Sequence, residues 1–362
     1  MKEPSPVFTA KDEDPLDDLE DFKYYIAPKS VVWELTGACA LDCPYCFEAY
    51  PKIKRDEISG AARIALAREL AEAKIFAINL SGGEPLMCKE LPEIVDIFKE
   101  YNIPVLIVTS GYGLTRELAV ELMKHPELGF MFTVEAADAE THDYLRGRQG
   151  SLDKVLKGVE LVKELGASSS IKRSGGPVGP VAILGECVVT QKNLDSVADL
   201  ISLCERSGFV HLRVQPVVMV GGKVTNLKLD LSIQDLQKLW KTVTDYINGA
   251  DVGGTESRAR MQVRLVNQVG HIVHGVKKGR NIGGIILPDG CLKVSAYLPY
   301  TFGKLERDGS FMDLWRKGFK GAWKHPELVR HTKGIKTIKD LEKIANDYAY
   351  KDVELSLTDI PI

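Results

Sequence analysis

From residue 31 onward the chain alternates short apolar, β-branched runs with amphipathic stretches of helical length. VVWEL (31–35) precedes a helix expected near 58–73, FAINL (76–80) one near 89–100, and VLIVT (105–109) one near 115–124. FMFTVEA (130–136) leads into helical material to about 165, VAILGECVVT (181–190) precedes a helix over 193–206, and VHLRVQPVV (210–218) closes the series. Apolar runs this short, bounded by turn residues, suit strands buried on both faces, and the longer periodic stretches between them suit covering helices. Six such units in succession demand parallel strands joined by right-handed crossovers. The fold class is therefore α/β, as an open doubly wound sheet or part of a barrel. In both, ligands meet the C-terminal ends of the strands.

The polar and glycine-rich signals fall at those ends. TGACALDCPYCFEAY (36–50) follows the first strand and crowds Cys39, Cys43 and Cys46 into eight positions. SGGEP (81–85) follows the second and TSGYG (109–113) the third; Thr133 and Glu135 lie near the end of the fourth, TQKN (190–193) follows the fifth, and Gln215 with Pro216 ends the sixth. A structural zinc site would need a second pair of ligands that is missing here. Thioredoxin-type chemistry would use Cys43 and Cys46 but leave Cys39 without a role. Three thiolates suit an iron–sulfur cluster with one iron left open to a small molecule. Glycines at 82 and 83 let a ligand approach backbone, and a carboxylate at 84 can accept from an ammonium group.

Composition narrows the function further. A net charge of −3 offers no global field for nucleic acid or an anionic membrane, and no apolar run is long enough to span a bilayer. Residues 1–28 read as an acidic, flexible segment without the hydrophobic stretch of a signal peptide. Seven cysteines in 362 residues do not make a disulfide framework, so the expected compartment is the cytoplasm. Cys88, Cys187 and Cys204 read as small core residues.

CALDCPYC followed by SGGEP at the next strand end resembles the radical S-adenosylmethionine (radical SAM) enzymes over roughly residues 30–218. The resemblance implies a partial (β/α)6 TIM-like barrel over 29–218 with a small α+β C-terminal cap. It makes Cys39, Cys43 and Cys46 the ligands of one [4Fe–4S] cluster whose open iron binds the methionine amino and carboxylate groups of S-adenosylmethionine. Tyr45 is then the aromatic residue near the adenine, and Gly82, Gly83 and Glu84 hold the methionine amino end. Ser110 faces the ribose, and Glu135 and Arg146 take the acidic and arginine positions that follow the fourth strand. Thr133 departs from the usual serine, and Ala136 and Ala137 stand where glycine is common. The implied chemistry is reductive cleavage to a 5′-deoxyadenosyl radical, which takes hydrogen from an unactivated C–H bond, with flavodoxin or ferredoxin as electron donor.

The second half bears on the kind of enzyme. Residues 219–285 read as a helical linker, with 256–280 as a helix carrying many cations, either a solvated face or a cationic wall for substrate. Residues 286–362 resemble the SPASM or twitch extension of peptide-maturing and haem-modifying members. Aligning Pro288, Asp289, Gly290, Pro299, Gly303 and Trp315 with that pattern puts Ser295 at the thiolate position, with no cysteine after Cys291. The extension is thus expected to lack an auxiliary cluster and to contact substrate through Lys293, Tyr297 and Tyr300. Residues 168–180 read equally as a mobile lid or a surface insertion. A biosynthetic substrate of tetrapyrrole or peptide type is favoured, against a lipid, sugar or nucleoside. A glycyl-radical activase and a non-catalytic iron–sulfur or zinc scaffold are the competing readings.

Overall fold

The computed structural model describes residues 26–47, 56–167, 181–220, 228–249, 261–347 and 352–361. The acidic segment before residue 26, the stretch 168–180 and residues 256–260 lie outside them.

The βα alternation is realised as β1 (Ser30–Glu34), α1 (Gly60–Glu72), β2 (Ala77–Ser81), α2 (Leu91–Glu100), β3 (Val105–Thr109), α3 (Arg116–Leu122) and β4 (Leu128–Thr133). After β4 come α4 (Ala139–Arg146), α5 (Ser151–Glu164), β5 (Ala182–Val189), α6 (Val197–Ser207) and β6 (His211–Pro216). These six strands stand side by side in chain order, all parallel. When every crossover steps the same way with the same hand, all the helices fall on one face. The opposite face is left as the inside of a curved sheet.

The strands report this asymmetry. Along β5 the residues alternate half-buried and buried: Ile183, Cys187 and Val189 are fully enclosed beneath the helices, whereas Ala182, Leu184, Glu186 and Val188 keep some exposure. Cys187 and Cys204 are both 0% exposed, and burial pushes both thiols up, as suits small core residues.

The sheet is wider than six strands. After α7 (Ile233–Ile247), β7 (Gln262–Leu265) pairs in parallel with β6; after α8 (Gln268–Lys278), β8 (Gly283–Ile286) returns to the other edge and pairs in parallel with β1. β9 (Leu292–Lys293) adds antiparallel to β8. Two corrections follow. The stretch expected as a helical linker supplies two sheet strands, and the probable helix over 256–280 is, from residue 261 on, a strand, a turn and a shorter helix. Each strand is only four residues long, β7 alternates Gln262 and Arg264 with Val263 and Leu265, and β8 opens on two glycines, so neither shows an apolar run.

The remainder forms β10 (Tyr300–Thr301), α9 (Phe311–Lys317), α10 (Pro326–Thr332), α11 (Ile338–Asp347) and β11 (Val353–Glu354), with β10 and β11 paired in parallel. Its core is aromatic: Phe302, Phe311, Trp315 and Phe319 are fully buried and pack ring against ring. Helix α9 also docks onto the first unit, where Glu69 of α1 accepts from the backbone N–H groups of Phe311 and Met312 at 3.2 and 2.9 Å. Those are orphan donors of its first turn.

Candidate active site

The loop after β1 carries all three clustered cysteines, each partly exposed and none in a disulfide. Short loops of this kind are fixed only by what their backbone groups bond to, and here three neighbours hold it.

The first is the glycine loop after β2. Gly83 N–H donates to Thr36 O at 2.7 Å, Glu84 N–H to Ala38 O at 2.8 Å, and Leu35 N–H to Ser81 O at 2.9 Å. A Cβ on Gly83 would lie 2.4 Å from Ala38 O, and one on Gly82, where φ is +124°, 2.6 Å from Thr36 O. The glycines are therefore required by the cysteine loop itself, which occupies the close approach that the sequence reading assigned to a ligand.

The second neighbour is the end of α4. Arg146 O accepts from Asp42 N–H at 3.3 Å and lies 3.7 Å from Cys43 Sγ, while Arg148 Nη1 donates to Ala40 O at 2.6 Å. Beneath them Tyr45, Glu135 and Arg146 form one buried set. The Tyr45 hydroxyl donates to Glu135 Oε1, Arg146 Nη1 donates to Tyr45 Oη at 3.0 Å and to Glu135 Oε1 at 3.2 Å, and Val188 N–H donates to Glu135 Oε2 at 2.8 Å. Burial pushes the Glu135 carboxyl up, opposed by Arg146 and the Tyr45 hydroxyl. Arg146 Nε is buried without a partner among the described residues, so one cationic donor at this loop remains to be satisfied.

The third support escaped the sequence reading. Glu57 Oε1 accepts from Gly37 N–H at 2.8 Å and Thr36 Oγ1 at 3.0 Å, and Glu57 is itself held by Arg63. Arg63, nearly buried, also donates from Nε to Leu35 O at 2.9 Å and pairs with Glu90 at 3.3 Å. An arginine on a half-buried helix face carries no sequence signal of such a role.

Glu84 is 1% exposed, and its carboxylate is surrounded. Oε1 accepts from Thr109 Oγ1 at 2.6 Å and Leu86 N–H at 3.2 Å; Oε2 accepts from Ser110 N–H at 2.8 Å and from the Ser110 hydroxyl. Four donors match a carboxylate's roughly four acceptor sites. Glu84 thus ties the end of β2 to the end of β3, and Ser110, expected at a ribose, spends its hydroxyl on that tie. Burial raises the Glu84 pKa, and the four donors oppose it.

The strand ends thereby bring together the residues that the sequence assigns to cluster and cofactor: the cysteine loop, Gly82, Gly83, Glu84, Ser110, Tyr45, Glu135 and Arg146. Among the described residues no three His, Cys, Asp or Glu side chains are drawn close enough to hold a metal. The donor set fits a cluster through its chemistry. Cys39 lies near enough to Cys43 for its charge to act on that thiol, Leu41 N–H donates to Cys39 Sγ at 3.5 Å, and all three thiols sit partly exposed on one loop whose backbone is pinned. Backbone N–H donors to sulfur suit iron–sulfur ligation.

Of the extension's three expected contact residues, two are spent internally. Lys293 is buried at 3.4 Å from Asp352, and Tyr300, 1% exposed, bonds His331 Nδ1 at 2.5 Å. Tyr297 instead reaches the sheet interior: its ring meets Phe47 at 5.8 Å, and Arg213, Glu186 and Gln268 all act on its hydroxyl. Ser295 is buried, with its hydroxyl accepting from Tyr297 N–H.

Residues 33–180 match the sequence model of the radical SAM superfamily. Relatives include the mycofactocin maturase MftC of Mycolicibacterium smegmatis, 28% identical over 50% of this chain and 43% of that protein. The AdoMet-dependent heme synthase of Methanosarcina barkeri is 26% identical over 54% of this chain and 52% of that protein. The chain spans about half the length of the curated relatives it matches. Among solved structures, Streptococcus suis SuiB bound to S-adenosylmethionine superposes with a TM-score of 0.62 at 16% identity, covering 85% of this chain and 68% of that one. Native anSMEcpe with bound AdoMet gives 0.60 at 16% identity, covering 84% of each. At such identities the likeness is one of fold.

Proposed function

Because the chain carries a radical SAM domain, a family that uses a [4Fe–4S] cluster and S-adenosylmethionine, we propose that it reductively cleaves S-adenosylmethionine to modify a peptide at an unactivated C–H position. The observation that carries this reading is the clamped cysteine loop: three thiols on a backbone fixed to the ends of β2 and α4 and to Glu57. Cys39, Cys43 and Cys46 would hold the cluster. When bound, it supplies the electron that splits the sulfonium into methionine and a 5′-deoxyadenosyl radical able to abstract hydrogen.

The chain's own residues position and shield. Glu84, saturated by its four donors, fixes the relation of the glycine loop to Ser110, so the backbone edge after β2 stays rigid beside the cysteines. Tyr45, Glu135 and Arg146 close the floor under the loop, and the spare Arg146 Nε offers a donor to an anionic group. Tyr297 and Phe47 place aromatic surface between the cysteine loop and the sheet interior, which excludes water from a reactive species.

The peptide reading rests on relatives named as maturases, MftC and the Bacillus subtilis sporulation killing factor maturation protein SkfB. A tetrapyrrole substrate is the second reading, favoured by the haem synthase relative. The extension would be SPASM-like in lineage without its metal, the electron donor a flavodoxin or ferredoxin, and the compartment the cytoplasm. Among the described residues no helix is long and apolar enough to cross a membrane. The test is anaerobic reconstitution, reduction with dithionite and chromatography for 5′-deoxyadenosine. The parent forms it and Cys43→Ala does not; no product from the reduced, iron-loaded parent removes the reading.

A further inference from the structure

The inside face of the sheet carries one charged row. Thr133, Glu186, Arg213 and Arg264 are successive register partners across β4, β5, β6 and β7. Register partners in parallel strands point to the same side, so one carboxylate shares this row with two guanidinium groups set directly beside each other. Like charges in such a position cost stability. Glu186 answers only part of the charge. Its Oε1 takes Arg213 Nε at 3.5 Å and Gln215 Nε2 at 3.1 Å, while Arg264, exposed, makes no ion pair or hydrogen bond among the described residues. Arg213 keeps its side chain 39% accessible.

Two buried polar atoms flank the row on the same face. Gln215 Oε1, one step toward the strand ends, and His211 Nδ1, one step away, have no partner among the described residues. Burial lowers the His211 pKa, and after it Arg264 and Arg213 do, so both arginines act on this one spot. Tyr297 closes the row from the extension. An unsatisfied acceptor beside an uncompensated pair of planar cations matches a ligand bearing a carboxylate with an N–H nearby.

We propose that Arg213 and Arg264 bind a carboxylate of the substrate on the concave face of the sheet, with Gln215 accepting from a neighbouring N–H. This deepens the function proposed above and rests on it. The shared chemistry is a carboxylate, carried by an acidic peptide or by the propionates of a tetrapyrrole.

The test measures binding to the full, anaerobically reconstituted protein by fluorescence, with four probes. These are a labelled alternating Glu-Ala peptide, its Gln-Ala counterpart, coproporphyrin III and its tetramethyl ester. One carboxylate probe should bind more tightly than its neutral counterpart, and which one does so identifies the source. Arg213→Gln and Arg264→Gln should each weaken that probe about tenfold or more, the loss of a charge-assisted bond. The neutral probes should not respond, and Lys277→Gln on the outer helix should bind as the parent does. Arg264 is exposed, so its variant reports even if Arg213→Gln folds poorly. Equal binding of charged and neutral probes, unchanged binding by Arg264→Gln, or an equal loss in Lys277→Gln overturns the carboxylate site. Formation of 5′-deoxyadenosine by the parent, measured in the same preparation, separates that failure from failure of the radical SAM reading.

Discussion

Gly83→Ala probes the clamp on the cysteine loop. The new Cβ would sit 2.4 Å from Ala38 O and 2.8 Å from the carbonyl carbons of Ala38 and Gly37, where ordinary contact begins near 3.4 Å. All three atoms are backbone, so no side chain can swing aside, and the loop must retreat by about 1 Å. That displacement breaks the bonds from Gly83 N–H to Thr36 O and from Glu84 N–H to Ala38 O. At about 0.5–1.5 kcal/mol each, the seated loop loses about 1–3 kcal/mol, or about 5- to 150-fold in population. The sheet itself is untouched, so the melting temperature should move little while iron incorporation and affinity for S-adenosylmethionine fall by that factor. Equilibrium dialysis with labelled S-adenosylmethionine and iron analysis read both. Parent-like iron content and affinity in Gly83→Ala would refute the clamp.

Glu84→Gln replaces one of the two acceptor oxygens with an amide NH2 that faces either the Ser110 donors or those of Thr109 and Leu86, and should cost about 2–3 kcal/mol in urea unfolding of the apo protein; a change under about 0.5 kcal/mol would show that the carboxylate does not tie the strand ends. Arg63→Gln removes the support of Glu57 and Leu35 O and should weaken S-adenosylmethionine binding several-fold with the cysteines intact, which calorimetry can measure; unchanged binding removes Glu57 from the site. His142 is fully buried, and its pKa is lowered to about 3 by burial and then by Arg146. Since the unfolded imidazole titrates near 6.5, the folded state binds fewer protons between these values, and stability should fall as pH drops below 6.5 by up to about 1.4 kcal/mol per unit. His142→Gln should flatten that slope in urea titrations at pH 7 and 5, and an unaltered slope would place the acid sensitivity elsewhere.

The strand ends were legible because parallel strands roofed by helices announce themselves as short β-branched runs, and because loops that meet backbone to backbone need glycine. β7 and β8 were not legible: Gln262 and Arg264 face an open interior, and Gly283 is needed where a Cβ would lie 2.5 Å from Ser30 O. Residue types at the site were readable, whereas their partners were not. Nothing in SGGEP says that Glu84 is saturated by Thr109 and Ser110, and nothing in the sequence near Glu57 or Arg63 links them to Gly37. Lys293 and Tyr300 looked like surface residues facing substrate, but an ion pair to Asp352 and a bond to His331 let each be buried. Such long-range pairings are settled by packing.

Iron stoichiometry and the electron paramagnetic resonance of the reduced protein, with and without S-adenosylmethionine, test the central claim most directly. The reconstituted protein should hold about four irons per chain and give a reduced-cluster signal that changes shape when S-adenosylmethionine is added, and the triple variant Cys39→Ala, Cys43→Ala, Cys46→Ala should show neither iron nor signal. A [4Fe–4S] signal that survives in the triple variant, or a parent signal indifferent to S-adenosylmethionine, contradicts that claim.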